Sequence, residues 1–217
     1  MPPDYTSVSD FVQYYRDTFV PAYSDVTSYL LAKPEEVLQS MENISSHTIQ
    51  YLDTAKDEAT RRENLKKAFH HLERATLDCY KILWVRMQTD LTEIIKDSEM
   101  RKFCVNTTEA EFLAHYNEFL NRVRSARTYE LTNVGTDLAT TVEHYKRVVE
   151  CGNHLCSAVD KIKIQDYKEI KKKWLKKITT RDVLVGIVAA IIGAIIWELI
   201  RDPSYLHNCF VYLHVIQ

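Results

Sequence analysis

The amino-acid sequence predicts an all-α fold: a helical bundle with coiled-coil-like seams, followed by one C-terminal transmembrane helix. Three observations predict it. Four Gly and five Pro among 217 residues are too few for the turns of an all-β chain. Apolar residues recur at helical spacing over residues 57–96 with no Gly or Pro between them, the pattern of a long packed helix. Val183 to Trp197 then runs for 15 residues without a charged or strongly polar side chain.

Taken in order, Ser7 or Ser9 with Asp10 can cap a first helix carrying Phe11, Tyr15, Phe19, Val26 and Leu30 on one face. Pro21 must kink or interrupt it, because its ring removes a hydrogen bond and crowds the preceding turn. Pro34 suits the start of a second helix, PEEVLQSMENISSHTIQYLDTA. The tyrosines here, Tyr14, Tyr15, Tyr23 and Tyr29, suit a helix–helix seam with hydroxyls at the wet edge. The long helix carries Leu65, Phe69, Leu72, Thr76, Cys79, Leu83, Met87, Leu91 and Ile94 along a coiled-coil-type seam. Residues 97–107 lose the period and read as a connection. Thr108 with Glu111 forms a capping box ahead of Phe112, Tyr116, Phe119, Val123 and Ala126.

Asn133-Val-Gly135 reads as a break. Leu138, Val142, Tyr145, Val149, Gly152, Cys156, Val159 and Ile162 then resume the seam. Tyr167, Ile170, Trp174 and Ile178 carry the period onward, so the basic segment and the apolar run are expected as one helix rising from the bundle. The expected organisation is a bundle over 1–160, a basic juxtamembrane helix over 161–181, a transmembrane helix over 182–201 and a short extracytoplasmic tail over 202–217.

A bilayer span takes ~17–25 apolar residues. The run qualifies at the short end, with Leu199 and Ile200 extending it past Glu198, whose carboxylate reaches for the headgroups. Its large aliphatics favour insertion by about 3–5 kcal/mol. Residues 161–181 hold nine cations against Asp166 and Glu169. Positive residues beside a span stay on the cytoplasmic side, so an inner (plasma) membrane location with a cytoplasmic N-terminus follows. Lys171, Lys172, Lys173, Lys176, Lys177 and Arg181, with Trp174 among them, are the candidate lipid-surface residues; each cation adds ~1 kcal/mol near an anionic leaflet. Gly186, Ala190 and Ala194, with Ala189 and Gly193 as a second pair, have the small-residue spacing that lets helices approach in lipid. They are the candidate contacts of a homo-oligomer.

The formal charge of −2 hides an asymmetry, because residues 1–160 carry 18 cations against 25 anions. An acidic body is a poor footprint for nucleic acid, so none is expected as a partner. The five Cys have no disulfide-framework spacing. Cys79, Cys104, Cys151 and Cys156 are expected as free cytosolic thiols and Cys209 as the outward one. The N-terminus lacks a cationic start and an apolar core, so no cleavable signal peptide is expected.

No phosphate-cradling glycine loop, dinucleotide fingerprint or nucleophile elbow is present. His144, Cys151, His154 and Cys156 are the densest metal-type residues, but Cys-x4-Cys is not a strong zinc spacing. No metal and no cofactor are expected. The segment ENLKKAFHHLERATLDCYKILW resembles a helix of the HEPN helical bundles, and Arg147-Val-Val-Glu-Cys-Gly-Asn-His154 has the spacing of that group's Arg–His motif. The resemblance implies that Arg147 and His154 would line a dimer cleft and cleave RNA without a metal. The layout of helical body, basic collar and single span also resembles small membrane effectors of bacterial anti-phage defence. That resemblance implies a body that senses or is held by a protein partner, and a span that disrupts the bilayer. The leading expectation is a non-enzymatic, membrane-anchored sensor or effector contacting lipid and a protein partner. A passive tethering adaptor and a HEPN-like ribonuclease are the alternatives.

Overall fold

The computed structural model describes Tyr5, residues 7–177 and residues 180–201; the side chains of residues 175–181 and 199 are outside it. The described residues are helical, and their one β-type contact is an isolated antiparallel bridge between Val105 and Val159. The chain divides into two compact units, residues 1–163 and 164–217.

The first unit opens with helix α1 (Val8–Tyr14), a π turn (Tyr15–Phe19) and α2 (Val20–Leu30). Ser7 caps α1, its hydroxyl accepting from the Asp10 amide at 3.2 Å. The π turn explains how Pro21 is accommodated. Pro21 falls in the first turn of α2, and widening the helix just ahead of it relieves the clash of the ring with the preceding turn. The helix therefore continues through Pro21 rather than ending there. Phe19, Ala22 and Val26 are buried.

Helix α3 (Glu35–Leu52) follows, with Pro34 as the extended residue before its first turn. The next, α4 (Glu58–Lys96), is the axis of the unit, capped by Asp57 accepting from the Thr60 amide at 2.9 Å. All nine seam residues from Leu65 to Ile94 are at most 4 % exposed. A second row, including Ala68, Ala75, Leu77 and Tyr80, is buried as well. That wider face exceeds a two-helix seam because α4 packs against α2, α3 and α7 (Leu138–Ser157).

The expected connection at 97–107 contains a short helix, α5 (Ser98–Cys104), capped by Asp97 and anchored by buried Met100 and Cys104. It is too short to show a period. Helix α6 (Glu109–Thr132) starts at the Thr108–Glu111 capping box, and its five predicted apolar positions are all buried. The break at 133–137 is real, with Gly135 at φ +72°, a conformation that suits glycine. Gly152, inside α7, is a point of close approach: a Cβ there would stand 2.7 Å from Met87 Sδ and 3.1 Å from Phe119 Cε2.

The seam does not continue from α7 into the basic segment. The helix ends at Ser157, and α8 (Lys161–Lys177) starts anew behind Asp160, whose carboxylate accepts from the amides of Ile162 and Lys163. Two backbone bonds, Asn106 N to Ala158 O and Asp160 N to Cys104 O, fasten the break to the end of α5. Ile162 is accordingly 75 % exposed rather than a seam residue.

In the second unit α8 is followed by α9 (Thr180–Arg201). Residues 178–179 lie outside the described residues, as does the tail 202–217, so the expectation of one helix from collar to span falls outside them. Among the described residues no helix is long and apolar enough to cross a membrane. The uncharged run of α9 rises only about 22 Å, against ~30 Å of hydrocarbon.

Candidate functional site

The first unit carries a groove of about 810 Å³. Its long wall is the α4 face bearing His70, His71, Arg74, Leu77 and Lys81; the opposite wall is the end of α6 and the turn into α7. Tyr5 also lines it. The side chains on α4 share a face because residues three and four apart lie one above another on a helix.

Much of the groove's charge is internally matched. Lys81 Nζ donates to Glu130 Oε1 at 2.7 Å, and the Tyr145 hydroxyl donates to Glu130 Oε2 at 2.7 Å. Burial alone would push the Glu130 pKa up, but these two bonds, with the charges of Lys81 and Arg74, outweigh it and hold the carboxylate below its ordinary range. Arg74 is paired with Asp78 at 3.4 Å. Asp137 caps α7 and accepts from the Tyr129 hydroxyl at 2.7 Å, which holds its pKa down.

Beside the groove lies Glu73, whose side chain is fully buried. Tyr5 Oη donates to Glu73 Oε1 at 2.9 Å, across 68 residues of sequence. Oε2 has no hydrogen-bond partner among the described residues, although His70 Nδ1 stands 3.5 Å away. Burial, with a smaller contribution from Asp137, raises the Glu73 pKa to about 7, against the downward pull of the Tyr5 bond. Tyr5 also stacks on His70 at 4.7 Å between ring centroids and meets Phe69 edge-on at 5.0 Å. Sequence reasoning missed this cluster. Glu73 adjoins the seam, where a glutamate ordinarily faces water, and the residue that hydrogen-bonds it, Tyr5, is 68 positions away in sequence.

The sequence-derived sites lie elsewhere. Arg147 and His154 share the exposed side of α7. Arg147 Nε is ion-paired with Glu143 at 3.1 Å, and the His154 ring is edge-on to His115 at 5.0 Å. The four metal-type residues do not converge: among the described residues no three His, Cys, Asp or Glu side chains could hold an ion. Cys79 and Cys104 are buried free thiols, Cys151 and Cys156 half-buried ones, and burial pushes the Cys79 pKa up to about 12.

On α8, Lys171, Lys172 and Lys173 are exposed and Trp174 is 70 % exposed. The side chains of Lys176, Lys177 and Arg181 lie outside the described ones. On α9 every described large aliphatic from Val183 to Ile200 is at least 51 % exposed. Ala189, Ala190 and Ala194 are exposed, and a Cβ at Gly186 or Gly193 would meet nothing within 4 Å. The structure thus gathers the small residues and aliphatics on one uncovered helix. No family model, curated protein or solved structure matches this chain.

Proposed function

We propose that this chain is a membrane-anchored, non-enzymatic interaction protein: α9 inserts in an inner membrane, α8 holds the lipid surface, and the bundle faces the cytoplasm to engage a protein partner. The observation that carries the reading is the uncovered aliphatic surface of α9, apolar on every side. Such a surface is costly in water and favourable in lipid. The shortfall in length is met by drawing Asp182 and Glu198 toward opposite headgroup regions and by local thinning of the bilayer, at fractions of a kcal/mol per Å. The lysines of α8 stand on one side of the apolar run only, which sets the orientation.

Within the membrane, Gly186, Ala190 and Ala194, with Ala189 and Gly193, bring copies of α9 together. Replacing Gly186 and Ala190 by Ile should reduce cross-linked oligomer at least severalfold; unchanged cross-linking would remove that role. An effector that perturbs the membrane, as in the defence systems its layout resembles, depolarises cells only when the full chain is expressed. A passive tether leaves the potential intact in both the full chain and a truncation before residue 180. The exposed, shared face of Arg147 and His154 supports a second reading as a HEPN-like ribonuclease. Cleavage of RNA that is lost in Arg147→Ala is what that reading requires.

A further inference from the structure

Helices α3 and α4 meet through a pair of histidines. His47 of α3 and His71 of α4 lie face to face, with ring centroids 5.4 Å apart and planes 14° from parallel. Both residues are half-buried. The Asn64 amide fixes the state of the first ring. Its Nδ2 donates to Thr60 O at 2.9 Å, which leaves Oδ1 to accept from His47 Nδ1 at 3.0 Å. Neutral His47 therefore carries its proton on Nδ1, and acid adds the second proton at Nε2 without breaking the Asn64 bond. We propose that the pair is an acid-released clasp: neutral, the rings stack and hold the C-terminal half of α3 on α4; protonated together, they repel and that half of α3 detaches.

The direction follows from the charges around the rings. Neither ring has a carboxylate within 4.0 Å among the described residues, whereas His70 has Glu73 at 3.5 Å and His115 has Glu118 at 3.9 Å. On α4 the neighbours one turn from His71 are Lys67 and Arg74, both cations. Each is already drawn to a carboxylate of its own, Glu63 at 3.8 Å and Asp78 at 3.4 Å. His70 adjoins His71 in sequence. The groove that His71 also lines adds Tyr5, Lys81 and Arg127 against Glu130 and Asp137. Both of those carboxylates are engaged, Glu130 by Lys81 and Tyr145, Asp137 by Tyr129 and the first turn of α7. On α3 the residues one turn from His47 are Asn43, Ile44, Gln50 and Tyr51, none charged near neutral pH. A second imidazolium here meets cations and no free counter-charge.

Linkage gives the window. Burial, then His47 and His70, hold the His71 pKa below its ordinary 6.5, so the detached state binds the proton more tightly. Docking of α3 is therefore complete above pH 6.5 and weakens as pH falls below it. Two unit charges at this spacing beside water shift an equilibrium by about tenfold. The other histidine contact, His115 of α6 with His154 of α7, has Glu118 beside it, which makes α6 a reference within the same chain.

The test is hydrogen exchange on the full chain in nonionic detergent, compared at about pH 7.5 and about pH 5 and corrected for the intrinsic pH dependence of exchange. Amides of residues 44–52 in α3 should lose about tenfold in protection in acid relative to those of α6. His71→Phe, which keeps a ring in the stack and takes no charge, should abolish that loss. His47→Gln, which can still donate to Asn64, should do the same and serves if the first variant does not fold. Equal protection of α3 at the two pH values, an equal loss in α3 and α6, or a loss that persists in a folded variant would overturn the clasp.

Discussion

At the scale of single residues, two positions carry more than their residue types suggest. Glu73 ties the stability of the bundle to pH. Its folded pKa is about 7 against an ordinary 4.5, so the folded state binds the proton more tightly. The associated stability is complete below pH 4.5 and is lost as pH rises to about 7. The loss is about 3 kcal/mol. His70 and His71 have lowered pKa values, mainly through burial, and contribute with the opposite sign just below their ordinary 6.5. Urea unfolding of wild type and Glu73→Gln at a series of pH values isolates the Glu73 slope, which the variant should lack. Gly152 is the other position. Its approach to Met87 and Phe119 leaves no room for a branched side chain, and Gly152→Val should cost about 1–3 kcal/mol, read as a lowered Tm. The period of α7 put Gly152 on the seam but could not show how close its neighbours come. Glu73 was illegible for a related reason: its hydrogen-bond partner is 68 positions away.

At the scale of elements, long periodic helices were legible and short or interrupted ones were not. The seams of α4 and α6 lie where their apolar spacing puts them, because each buries a continuous stripe. The α6 start is equally readable, since the Thr108–Glu111 box is local chemistry. Thr108→Ala should destabilise the bundle by about 1 kcal/mol, measurable by the same unfolding experiment. The seven residues of α5 escaped notice because two turns cannot establish a period. The π turn at Tyr15–Phe19 was foreshadowed only as trouble at Pro21. The end of α7 was hidden by the accidental continuation of apolar spacing through Val159 and Ile162. What stops the helix there is the backbone pairing of Ala158 and Asp160 with the end of α5, a long-range contact.

At the scale of the whole molecule, charge and hydropathy divide the chain more sharply than any single motif. The acidic residues dominate up to residue 160, the cations of 161–181 follow, and the uncharged run comes last. The described large aliphatics of α9 are more than half exposed. In the proposed arrangement the lysines of α8 provide attraction to anionic lipid that salt screens, whereas the hold of α9 on the bilayer is insensitive to salt. Binding of the full chain to vesicles with anionic headgroups should therefore persist at high salt. A truncation before residue 180 should be released, since it retains only the screened component.

The central claim is that α9 resides in the bilayer. Its most direct test is extraction of cell membranes containing the full chain, first with alkaline carbonate and then with detergent. The account predicts a chain that stays with the membrane through carbonate and is released by detergent, while a truncation before residue 180 is removed by carbonate. Release of the full chain by carbonate alone would contradict insertion and leave the exposed aliphatics of α9 to be covered by protein instead.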